Sequence, residues 1–137
     1  MKGYVVEIHR KDLDFGFFVS GVMLWNIKIS EITSPIIYCA CTCSNISKEK
    51  CFVFEDKCEA KEFKKLLERF SKLNGILTNK YLKKESLSYN PFKFKVVEVK
   101  APKITYADFE QIMESFNGFE EEAEEAAKAL KKFFKEN

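Results

Sequence analysis

Apolar and polar positions alternate along the first half of the chain. Tyr4-Val5-Val6-Glu7-Ile8 reads as a first strand, and Lys11-Asp12-Leu13-Asp14 as a polar turn. Residues 17–29 follow as a bent strand or two short ones, because Gly16 and Gly21 interrupt an otherwise apolar run. Its end alternates, with Trp25, Ile27 and Ile29 on one face and Asn26 and Lys28 on the other. Ser34-Pro35 is expected to break the chain. Residues 36–43 and 51–54 are then expected to form a hairpin around the polar loop 44–50. Residues 92–99 make a further strand whose alternation slips at Val96-Val97, where a bulge would repair it.

A period of three to four residues replaces the period of two after Asp56. Ala60, Phe63, Leu66, Leu67, Phe70 and Leu73 lie on one helical stripe. Asp56 and Glu59 have the spacing of a capping box, and Asn74-Gly75 is expected to stop the helix. Residues 76–90 are ambiguous between a short strand at Ile76-Leu77 and a loop. Thr105 and Asp108 form a second capping-box pattern ahead of Tyr106, Phe109, Ile112, Met113 and Phe116. Asn117-Gly118 then separates a last helix, acidic over 120–125 and basic over 128–135, with charges at the poles its dipole favours.

These elements predict an α+β domain spanning residues 1–137. A single layer of about five mostly antiparallel strands would be covered by one central helix and the C-terminal helices. The length of 137 residues suits one domain. The 46% hydrophobic and 32% charged residues are those of a globular chain. A formal net charge of +2 excludes coating of nucleic acid by gross charge, but leaves a local basic face open. The longest apolar run, 15–25, is too short for a membrane span, so no membrane is expected. The start at Met1-Lys2-Gly3 runs into a strand rather than a signal peptide, which makes the cytoplasm the expected location. Only Arg10 and Arg69 among 23 basic residues are arginine, and Gln111 is the single glutamine. That lysine-rich, glutamine-poor balance is thermophile-like, although AT-rich coding gives a similar one.

Five cysteines are the first candidates for chemistry. Cys39, Cys41 and Cys43 would point to one face of a strand, spaced too far apart to bridge one another. The hairpin would set Cys43 opposite Cys51, the favoured disulfide pair. No Cys-x-x-Cys occurs and three thiols on one straight strand diverge, so no metal site is expected. Cys58 sits near a helix N-terminus but among Glu55, Asp56 and Glu59, which oppose its activation. His9 has no nucleophile motif to serve, and no glycine-rich phosphate loop is present. No catalytic residue and no cofactor are expected.

Lysines and aromatics are the second candidates. Phe92-Lys93-Phe94-Lys95 has the alternation a sheet-surface RNA binder would show, and Lys80, Lys83 and Lys84 add charge before it. The competing reading puts the rings in the core and the lysines on a solvated face. The third candidate is the last helix, whose narrow seam ends in Leu130, Phe133 and Phe134. At least one of the two rings is expected to be buried, against the chain's own sheet or a second subunit. The leading expectation is a non-enzymatic binding or accessory protein with a protein partner or self-association. The alternatives are a nucleic-acid-binding surface around residues 80–95 and a small cysteine-dependent redox or metal protein.

Overall fold

The computed structural model describes residues 1–9, 16–42, 51–80 and 93–136. Among them lie four strands and three helices: β1 Lys2–His9, β2 Phe17–Ile29, β3 Ile32–Thr42, α1 Lys57–Lys80, β4 Lys93–Lys100, α2 Phe109–Ser115 and α3 Phe119–Glu136. The strands form one antiparallel sheet in the order β3-β2-β1-β4. The α+β class is as expected. Among the described residues four strands are paired in this sheet, and residues 51–54 add a single bridge to it.

β2 and β3 form a long hairpin, with Ile29 opposite Ile32. Ser30 turns the chain with φ of 55°, a left-handed conformation that serine tolerates in tight turns. The register shifts between Val19 and Gly21, which is the bend expected from the glycine pair. Pro35 does not break the chain. It sits inside β3, opposite Asn26. β3 is an edge strand, so the missing proline N–H can face away from the ladder.

Among the described residues, β1 and β2 are paired only at Glu7–Phe18 and Ile8–Phe17. The segment 51–54 meets both strands beyond that point. The Phe52 N–H donates to the Val19 carbonyl at 2.9 Å, and Tyr4 and Phe54 exchange two main-chain bonds at 2.9 and 2.8 Å. The expected hairpin between 36–43 and 51–54 is therefore not formed, since 51–54 lies with β1 and β2 rather than against β3. Gly3 permits this approach, because a Cβ there would run into the Val53 side chain.

The two faces of the sheet carry separate cores. On one, Val6, Ile8, Val19 and Phe54 meet Ala60, Phe63, Leu66, Leu67 and Phe70 of α1, with Phe116 beyond. The predicted stripe is buried from Ala60 to Phe70; full burial of one such aromatic or leucine side chain contributes about 1.5–3 kcal/mol. On the opposite face, Val5, Phe18, Val53 and Ile104 gather with Val97 and Val99. This second core removes the need for a bulge in β4, which pairs with β1 in unbroken register from Lys2–Lys100 to His9–Lys93. Phe94 and Val96 face the helices, while Val97 and Val99 face the second core.

α1 starts as predicted. The Cys58 N–H donates to Asp56 Oδ1 at 2.8 Å, and the Glu59 carboxylate accepts from the Asp56 N–H. It does not stop at Asn74-Gly75 but continues to Lys80. The spacing of apolar residues in the sequence continues at 73, 76 and 77, and one interior glycine costs only about 1 kcal/mol against alanine. α2 begins later than its Thr105 pattern implied: Asp108 is the N-cap and accepts from the Gln111 N–H at 3.2 Å. Gly118, at φ of 87°, separates α2 from α3.

Candidate functional site

The expected contact helix is used inside the fold. The seam of α3 packs on β3 and α1. Leu130 is fully buried with Ile29, and Ile32, Ala127, Phe133 and Phe134 pack around them. Phe133 and Phe134 stack edge to face with centroids 5.4 Å apart. Both rings are half-buried against this cluster. Arg69 of α1 pairs with Glu120 at 3.1 Å and ties the start of α3 to the central helix.

The lysine candidates separate. Lys93 and Lys95 are exposed on β4, the outer strand at that side of the sheet. Phe94 points to the helices, so it offers no stacking platform beside them. Lys95 lies opposite Glu7 and Lys93 opposite His9. His9 Nε2 in turn contacts the Glu7 carboxylate. Mixed charge at these positions weakens the case for a phosphate track, and exposed lysines commonly blunt an edge strand. The side chain of Lys80, and Lys83 and Lys84 altogether, lie outside the described residues.

Cys51 carries a free thiol. The register that set it opposite Cys43 is absent, because the hairpin it depended on is not formed; Cys43 itself lies outside the described residues. Burial pushes the Cys51 thiol above its ordinary pKa, which makes it a weaker nucleophile at neutral pH. Cys58 is exposed at the start of α1. Among the described residues, no three His, Cys, Asp or Glu side chains gather as a metal site would require. No described helix is long and apolar enough to cross a membrane.

One concavity among the described residues is one that the sequence reading did not single out. A cleft of about 810 Å³ lies between the segment Cys51–Val53, the extended stretch 103–108 and the side of α2 at Gln111, Ile112 and Ser115. The stretch 103–108 is held at three points. Ile104 is buried in the second core. The Tyr106 hydroxyl donates to the Lys2 carbonyl at 2.7 Å, and the Ala107 N–H donates to the Val53 carbonyl at 2.8 Å. Ile104 and Tyr106 turn inward and Thr105 outward, as in a strand. Apolar lining groups from Phe52, Ile104 and Ile112 are accompanied by Lys103 at one end of the stretch and Asp108 at the other. The sequence signal was the alternation Ile104-Thr105-Tyr106, which was absorbed into the expected start of a helix.

Comparison with protein-family models, with curated proteins and with solved structures finds no match to this chain.

Proposed function

We propose that this chain is a non-enzymatic binding protein whose contact with a partner protein is made at the cleft beside Cys51. The observation that carries this reading is the cleft's construction: an extended, outward-facing stretch of chain beside apolar lining groups, with one cation and one carboxylate near its ends. Concave, largely apolar surfaces with a few placed polar groups are where proteins hold ligands. An extended wall favours a polypeptide among them, because a chain in strand conformation can follow it. Partial burial raises the pKa of Cys51 and weakens it as a nucleophile, so in the cleft it serves as a small apolar group.

A phage-displayed library of random decapeptides tests this. Selected peptides, synthesised and titrated into isotope-labelled protein, should shift the amide resonances of 51–53 and 103–115 saturably. Selection of no binder, or shifts centred on α3 or β4 instead, would overturn the reading.

A further inference from the structure

We infer that the outer face of α3, a surface apart from the cleft, docks a second copy of this chain, the two α3 helices lying antiparallel across a twofold axis. The seam of α3 already packs on β3 and α1, with Leu130 at its centre. The opposite side of the helix carries Glu121, Glu124 and Glu125, then Lys128, Lys131, Lys132 and Lys135, all exposed. Steps of three and four residues put them on one stripe. That stripe is acidic over its first half and basic over its second. None of these side chains is ion-paired among the described residues. The helix dipole accounts for part of the order, since acidic groups suit the first turn and basic ones the last. Its influence fades within a turn, so it does not account for Glu124, Glu125, Lys128 or Lys131. A solvated face gains by opposite signs at four-residue spacing, as the Lys64–Glu68 pair of α1 does. On the α3 stripe only Glu124 and Lys128 meet that rule. Glu121 stands four residues before Glu125, Lys128 before Lys132 and Lys131 before Lys135, and each like pair weakens an isolated helix. The arrangement therefore costs stability in a monomer, and an opposing charged face offsets that cost.

Such a face is its own complement. A twofold axis beside Lys128 sets Glu121 against Lys135 of the second copy, Glu124 against Lys132 and Glu125 against Lys131, and repeats the same pairs on the other side of the axis. The two Lys128 side chains lie nearest the axis, each one turn from Glu124 and Glu125 of its own helix. No foreign protein is needed to supply the reversed pattern, which assigns the face to a second copy. A helix of 18 residues is about 27 Å long, so this contact stays below the ~1,200 Å² at which stable interfaces begin. The dimer is weak, and it forms at high protein concentration and low ionic strength.

Translational diffusion of the full chain, followed by NMR, tests this. At about 0.01 M ionic strength, where charges act over ~30 Å, protein at about 1 mM should be largely dimeric; at about 1 M, where they act over ~3 Å, it should be monomeric. Glu124→Lys alone and Lys132→Glu alone should each weaken the dimer at least about tenfold, because each turns two attractions across the axis into repulsions. The double variant Glu124→Lys/Lys132→Glu recreates the pair in the reverse sense and should bring association back to within about threefold of the parent. Amide spectra verify that each variant keeps the fold. A chain that stays monomeric at low salt would overturn the inference. So would a dimer indifferent to salt, single variants without effect, or a double variant that associates no better than the single ones. A dimer whose concentration-dependent amide shifts fall on 51–53 and 103–115 instead of α3 would put the second copy in the cleft and overturn it as well.

Discussion

Gly3 and Val53 approach so closely that a side chain on the first would displace the second. The contact lets the segment 51–54 lie against β1, and with it the wall of the cleft. Gly3→Ala should therefore destabilise the protein by about 1–3 kcal/mol, the usual cost of overpacking. Chemical denaturation checks the size. The same variant should perturb the amides of 51–54 more than those of α3. Wild-type stability would refute the contact.

Leu130 is buried in the chain's own core, so the last helix should matter at every concentration. Leu130→Ala should cost about 2–5 kcal/mol. Truncation after Leu130, which removes Phe133 and Phe134, should lower the melting temperature equally in dilute and concentrated solution at high ionic strength. A stable truncated monomer arising from a dimeric parent under those conditions, seen by light scattering, would show that self-association had been supporting those rings.

Glu59 gives a pH signature. Partial burial raises its pKa first, and the carboxylates of Asp56 and Glu55 add to the rise. The folded state thus holds the proton more tightly than the unfolded state. Its contribution is favourable at pH below the ordinary carboxylate value and is lost as pH rises through the folded pKa. Glu59→Gln keeps an acceptor for the Asp56 N–H and removes the charge. It should raise stability at pH 7, with the gain vanishing below about pH 4, where the wild-type residue is itself neutral. Paired melting curves across that range decide it.

The thiols should differ in reactivity. Cys58 is exposed and Cys51 is half-buried with a raised pKa. Limited iodoacetamide treatment at neutral pH, followed by peptide mapping, should label Cys58 well before Cys51. Equal rates would contradict the burial of Cys51. A peptide lodged in the cleft should slow Cys51 further and leave Cys58 unchanged.

Elements with a long, regular period were legible in the sequence. The stripe from Ala60 to Phe70 is as predicted because each member repeats the same angular step on a capped helix. Features that depend on distant neighbours were not. Pro35 is compatible with β3 only because that strand is an edge, which is a property of the sheet order. The slip at Val96-Val97 was visible, but it signals two cores rather than a bulge, since Ile104 and Tyr106 cover the far face. The segment of Cys51 was expected to pair with residues 36–43 by proximity along the chain, whereas it bonds to β1 and β2. The cleft follows from that placement, so its parts were present in the sequence without the arrangement that joins them.

The pairing of Lys2 with Lys100 has a consequence for how the chain reaches this state. β1 is made first and is flanked in the sheet by β2 and β4, with most of the described chain lying between it and β4. Contacts so distant along the sequence slow folding, because loop closure must precede the reward of pairing. During synthesis at about 5–20 residues per second, Val5, Val6 and Ile8 must wait several seconds for β4 to emerge. The β2–β3 hairpin can form in that interval, but the sheet cannot close. The nascent chain should thus resist protease only after β4 has cleared the ribosome, and then in a single step.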